Sequence, residues 1–213
     1  MNRTSFLVDG FNLYHSVKDA AQQLGTGRGT KWLDLRSLCS SYLGNVGGGA
    51  TLQGIYYFSA LATHLEPFNP DVTARHRTYL KCLGDSGVVV ELSRFKEKEV
   101  TCPTCRAKSI RHEEKETDVA ISSKLIELLV QNQCESVVLI TGDTDIAPAI
   151  RTARRVLPTA RVTFAFPYRR MNRELAALAP GSFRIHKEQY VKHQFPDPFV
   201  LTDGTRIPKP PSW

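Results

Sequence analysis

Ser136-Val-Val-Leu-Ile-Thr-Gly-Asp-Thr-Asp-Ile-Ala-Pro-Ala-Ile150 is the stretch on which the fold turns. It begins as a short run of apolar, mostly β-branched residues, the pattern of a strand buried on both faces. It then reaches Gly142 and two carboxylates, Asp143 and Asp145, and becomes helical at Ile146. Pro148 falls in the first helical turn, where its missing N–H leaves no bond unmade. Two acids therefore follow the carboxyl end of a parallel strand, the place where open α/β sheets bind ligands.

The same alternation extends in both directions. Ser5-Phe-Leu-Val8 is a buried strand closed by Asp9-Gly10-Phe11-Asn12, and residues 13–24 carry apolar groups at helical spacing, with Asn12 as the expected cap. Gly25–Gly29 reads as a flexible basic loop, 33–43 as a second helix and 52–58 as a second strand. A helix over 71–83 and a third strand over 87–92 follow. Residues 94–112 are charged and contain Cys102-Pro-Thr-Cys105, which reads as an inserted hairpin or loop. Residues 117–130 give a helix with a broad apolar face. After the opening strand and its helix come a strand over 160–166, a helix over 173–178 and a short strand over 183–185. From Lys187 to Trp213 the chain is Pro-rich and aromatic and reads as an extended tail, either packed along the body or free of it. Strand alternating with helix predicts an α/β body over 1–186: a mainly parallel sheet of about five strands, with helices on both faces.

Bulk composition narrows the class. A chain of 213 residues with 41% hydrophobic and 23% charged residues suits one domain with extensions, or at most two small ones. It has no apolar run of about 18 residues that would cross a membrane. The N-terminal stretch lacks a signal-peptide pattern, so the expectation is a cytoplasmic protein. Five cysteines, odd in number and scattered, argue against a disulfide framework. A net charge of +7 and a pI near 9.3 favour a polyanionic partner, nucleic acid first.

Four acids occupy candidate site positions: Asp9 after the first strand, Asp118 at a helix start, and Asp143 and Asp145 after the fourth strand. Each alone has an ordinary reading: Asp9 bracing a turn, Asp118 favouring its helix N-terminus, Asp145 capping the next helix. Gathered together, they would need a counter-charge, and a hard divalent cation with oxygen ligands supplies it. That is the equipment for phosphodiester hydrolysis.

Three segments, Phe6-Leu-Val-Asp-Gly-Phe-Asn-Leu-Tyr14, Glu114-Lys-Glu-Thr-Asp-Val-Ala120 and Leu139-Ile-Thr-Gly-Asp-Thr-Asp145, resemble the signature segments of bacterial NYN-domain (LabA-like) proteins, which are PIN-like ribonucleases. The closing Pro196-Asp-Pro198, Asp203-Gly204 and Pro210-Pro-Ser-Trp213 are similar to the same group. The resemblance implies a PIN-like three-layer domain in which Asp9, Asp118, Asp143 and Asp145 hold Mg²⁺ or Mn²⁺ and RNA is the substrate. It also makes Asn12 a polar site residue. Lys115 stands three residues before Asp118, so on a shared helix its ammonium would face the same side. Thr141 is placed to hydrogen-bond a carboxylate.

Other chemistries lack their residues. A haloacid-dehalogenase-type phosphatase would need Asp two positions after Asp9, where Phe11 stands. Nucleotide-binding glycine loops and a Gly-x-Ser-x-Gly turn are missing from the sequence. Cys102 and Cys105 have the spacing of half a zinc site; His112, Cys82, His76 or a second copy in a homodimer could complete it, or the thiols are free. Arg169 and Arg170, with Arg151, Arg154, Arg155 and Arg173, would hold phosphates flanking the acids, and Phe11, Tyr14 and Tyr168 could stack on single-stranded bases. The expectation is a metal-dependent ribonuclease; the competing one is an RNA-binding or regulatory adaptor with a vestigial site.

Overall fold

The first strand, β1 (Asn2–Asp9), is buried along nearly its whole length and sits in the middle of a sheet. A computed structural model of the chain describes residues 2–25, 29–179, 181–211 and 213, so the middle of the expected Gly25–Gly29 loop lies outside the described residues. After β1 come α1 (Gly10–Leu24), α2 (Leu35–Ser41), β2 (Ala50–Ala60), α3 (Asp71–Asp85), β3 (Val89–Thr101) and β4 (Lys108–Lys115). Then follow α4 (Thr117–Val130), β5 (Ser136–Ile140), α5 (Ala147–Val156), β6 (Arg161–Phe166), α6 (Arg173–Leu178), β7 (Gly181–Arg184) and α7 (Lys187–Lys192). A small hairpin of β8 (Phe199–Val200) and β9 (Arg206–Ile207) lies near the C-terminus.

The sheet has seven strands in the order β4-β3-β2-β1-β5-β6-β7, parallel except for β3 against β4. Its inner strands feed two cores. Phe6 and Val8 of β1 and Val138 and Ile140 of β5 face α1, α2 and α3 together with Trp32. Leu7, Val137 and Leu139 face α4, α5 and α6 with Ile121, Leu125 and Ile150. Alternate residues of one strand thus bury in opposite layers, which is the three-layer arrangement expected of strands apolar on both faces. Among the described residues no helix is long and apolar enough to cross a membrane.

Two regions differ from the sequence expectation. The sheet reaches seven strands because the short strand expected near 183–185 joins one edge as β7 and, at the other edge, β3 runs on through the charged 94–112 stretch and pairs with β4 as a hairpin continuous with the sheet. Its strands hide no apolar face; Lys98–Glu113 at 2.9 Å and Lys108–Glu99 at 2.7 Å tie the two strands across the ladder instead. The segment after Lys187 is not simply extended. It forms α7, whose Tyr190 is fully buried, and Phe195 packs edge-on against Trp32 at 5.7 Å between centroids. The Trp32 indole N–H donates to the Pro196 carbonyl at 3.2 Å. This segment belongs to the core on the α1 side.

Candidate active site

The strand order changes direction between β1 and β5: β2, β3 and β4 lie to one side and β6 and β7 to the other. Val8 pairs with Ile140, so Asp9 and Thr141 emerge side by side from the carboxyl ends of adjacent parallel strands. Such a switch point leaves a crevice in which groups from both loops meet.

Asp9 is 5% exposed and uses both carboxylate oxygens. Oδ1 accepts the Asn12 backbone N–H at 2.9 Å and so caps α1, while Oδ2 accepts the Thr141 hydroxyl at 2.8 Å. The expected cap, Asn12, is displaced from that role because α1 begins at Gly10, earlier than the apolar spacing indicates. Asn12 Oδ1 instead accepts the Gly142 N–H at 3.2 Å across the crevice. Thr141 Oγ1, while donating to Asp9, accepts the Asp143 N–H at 3.1 Å. A single hydroxyl therefore fixes the rotamer of one acid and the backbone of another.

Two glycines permit this closeness. A Cβ on Gly10 would stand 2.6 Å from the Phe58 carbonyl oxygen and the Tyr57 ring, and one on Gly142 would stand 2.0 Å from the Arg170 carbonyl oxygen. Both contacts involve backbone atoms with little room to retreat. Asp143 Oδ1 accepts the Asp145 N–H at 3.0 Å and caps the short 3-10 turn Thr144–Ile146 that leads into α5. The capping role expected of Asp145 therefore falls to Asp143, and Asp145 is exposed.

Asp118 occupies the first turn of α4 and is half-buried. Burial, and then the charges of Asp143, Asp9 and Asp145, push its pKa up to about 6. Asp9 is pushed up to about 6 as well, by burial first; the Asn12 and Thr141 hydrogen bonds oppose this, and Glu114 and Asp143 add to it. The acids act on one another through space, which draws the three sequence segments into one electrostatic unit. Glu114 was missed as a site residue. At the end of β4 it accepts the Thr117 hydroxyl at 2.5 Å, and burial together with Asp118 raises its pKa. Its only sequence signal was membership of the second motif.

Among the described residues, none of these five carboxylates has a cation within 4 Å. The donor set is all oxygen, as a hard divalent cation requires, and its charge is uncompensated, so the residues fit such an ion. Among the described residues no three His, Cys, Asp or Glu groups are already drawn together as a metal cage.

Other candidates fall elsewhere. Lys115 does not share a helix with Asp118: it ends strand β4, Glu116 follows with φ +80°, and the ammonium pairs with Glu113 at 2.9 Å. Arg170 is half-buried and bound to Asp19 at 2.7 Å, which commits its guanidinium to the protein. Arg169 is exposed, with its guanidinium over the Tyr168 ring at 5.5 Å. Arg151 pairs with Glu174 at 3.3 Å, and Arg154 donates to the Leu178 carbonyl at 2.7 Å. Cys102 and Cys105 stand at the β3–β4 tip, where backbone N–H groups of Cys105 and Thr104 lower the Cys102 pKa. His112 cannot join them: it pairs with Glu97, five residues below Cys102, or about 17 Å at the usual strand rise. It stacks on His64 at 4.1 Å instead. Cys82 is sealed in the core.

Comparison with known proteins agrees with this architecture. A Vibrio parahaemolyticus protein of unknown function shares the fold at TM-score 0.57 and 16% identity, over 87% of this chain and 93% of its own. Acinetobacter baumannii MurG aligns at TM-score 0.37 and 10% identity, over 99% of this chain and 47% of its own, too loosely to carry an argument. No curated protein matches the chain. Residues 3–183 match the NYN domain, a span that contains all three acid-bearing segments. The chain belongs to the NYN domain family and, through it, to the PIN-like nuclease superfamily.

Proposed function

We propose that this protein is a divalent-metal-dependent ribonuclease that cuts RNA phosphodiester bonds internally. What supports this reading is that Asp9 and the β5 loop bearing Asp143 and Asp145 meet at the switch point and act on the charge of Asp118, while among the described residues no cation stands within 4 Å of any of the four. Mg²⁺ or Mn²⁺ held there would supply an activated water and neutralise charge developing on the scissile phosphate. The chain's own contribution is to prepare the ligands. Thr141 and the Asn12 N–H lock Asp9 in one rotamer, and Asn12 ties the β5 loop to α1. Asp118 stands in the first turn of α4 and Asp145, exposed, in the 3-10 turn after β5; both would join Asp9 and Asp143 as ligands.

The test is cleavage of labelled single-stranded RNA with Mn²⁺ by the wild type and by Asp143→Asn. The variant should lose at least about 100-fold in rate, more than loss of an outer-sphere partner costs, with its circular dichroism unchanged. Wild-type-like cleavage would remove Asp143 from the mechanism.

A second reading is an RNA-binding or regulatory adaptor whose site no longer cleaves. It draws on the absence, among the described residues, of three groups already at ligating separation. Such a protein would bind RNA in chelator and leave it intact in Mn²⁺.

A further inference from the structure

A cavity of about 550 Å³ lies on the α1 side of the sheet, next to the acids but outside them. Gly10, which directly follows Asp9, forms part of its wall, as does Tyr57. The cavity is thus lined at the residue next to Asp9, and burial, with the charges of Asp9 and Glu114 behind it, holds the Tyr57 phenol above its ordinary pKa.

The lining has three chemical parts. Phe11 and Tyr14, one helical turn apart on α1, bring aromatic faces that remain 48% and 47% exposed. Such faces are costly to leave in water and suit a flat π-system. His64 and His76 bring imidazoles; the His64 Nδ1 is buried without a hydrogen-bond partner, and burial pushes His76 down to about 4, leaving it neutral. Lys31 and Arg75 bring positive charge, and burial followed by Arg75 lowers the Lys31 pKa. Among the described residues Lys31 has no carboxylate within 4 Å, and Arg75 reaches only the exposed Asp71, at 3.7 Å.

Aromatic faces, uncharged ring nitrogens and two under-compensated cations match, in order, the face, the edge and the phosphate of a nucleotide. We propose that this cavity receives one unstacked nucleobase of a single-stranded RNA, with the adjoining phosphate on Lys31 and Arg75, and so selects which phosphodiester reaches the acids. The volume falls within the range of a small-ligand site. It cannot admit a paired helix, so a duplex is excluded. The role of the cavity in placing the cut rests on the nuclease reading; the binding of a base does not.

The experiment is fluorescence anisotropy of a labelled single-stranded RNA hexamer in chelator, where no cleavage occurs. Tyr14→Ala should weaken binding about tenfold, the loss of one base–aromatic stack. Lys31→Ala should reduce the dependence of log affinity on log salt by about 0.7, the share of one single-strand phosphate contact. Duplex RNA of the same sequence should compete poorly, and a free mononucleotide should compete only at far higher concentration. Both side chains are partly exposed, so both variants should keep the wild-type melting temperature. Wild-type affinity and salt slope in both folded variants would overturn the proposal, even if the protein cleaves RNA. Base binding at the cavity with intact RNA in Mn²⁺ would overturn the nuclease reading and leave the cavity assigned.

Discussion

Replacing Asp9 by asparagine removes a charge while keeping the outline of the side chain, so it isolates the cost of that charge. Asp9 is 5% exposed, and its pKa rises from 3.8 to about 6 on folding. Well below pH 3.8 the carboxyl is protonated in both folded and unfolded chains, and the shift has no effect on stability. Between pH 4 and 6 the folded state binds more protons, so raising the pH withdraws them and stability falls. Above pH 6 the full cost is present: about two pKa units, or roughly 3 kcal/mol. Asparagine does not titrate. Its amide faces the Thr141 hydroxyl less favourably, but that loss is the same at every pH. The free-energy difference between variant and wild type should therefore move in favour of the variant by roughly 3 kcal/mol from pH 3 to pH 7. For a chain of this size that is about 6–12 °C in melting temperature. The assay is urea unfolding in chelator across this range, followed by fluorescence of the buried Trp32. Comparing the two proteins at each pH cancels the titrating groups remote from Asp9; Asp118, whose pKa the Asp9 charge helps to raise, adds to the difference in the same direction. A difference that stays constant with pH would refute the reasoning, because it would mean that Asp9 is well solvated or already compensated.

Two further outcomes follow from the site's construction. Gly142→Ala places a methyl group 2.0 Å from the Arg170 carbonyl oxygen, so the β5 and β6 loops must separate; we expect a loss of about 1–3 kcal/mol in urea unfolding, together with weaker Mn²⁺ binding by calorimetry. Lys115→Ala should leave RNA cleavage within about twofold of wild type and stability within about 0.5 kcal/mol, since its ammonium meets only Glu113 on the surface; a hundredfold fall in rate would restore it to the site.

How far the chain could be read depended on how local each signal was. Helix α4 was expected over 117–130 and found there, because its broad apolar face lies within the segment itself, and α6 was likewise found over 173–178 as expected. Strands β1, β5 and β6 announced themselves as continuous apolar runs. The β3–β4 hairpin was legible only as a hairpin or loop, and not as part of the sheet, since its alternating charges pair across the ladder and leave no core-facing pattern. The terminal segment packs along the body, one of the two alternatives expected, but begins with a helix rather than an extended run. Its prolines suggested extension, whereas Tyr190 and Phe195 are buried against residues from the first third of the chain.

By itself the sequence determined the alternation of strand and helix, the burial of β1 and β5 on both faces, and the acids that follow them. These are consequences of side-chain period and of turn chemistry, which neighbouring residues carry between them. Tertiary structure decided what those acids became. Asp9 and Thr141 are 132 residues apart and meet only because β1 and β5 are adjacent in the sheet. Their adjacency gave Asn12 to the Gly142 N–H, and the separate pairing of β4 with β3 put Lys115 on a strand rather than on the helix of Asp118. Strand order is set by how two whole cores pack, and no spacing along the chain records it. The motif Thr141-Gly-Asp-Thr-Asp145 could announce that a site exists; the sheet alone could say what stands opposite it.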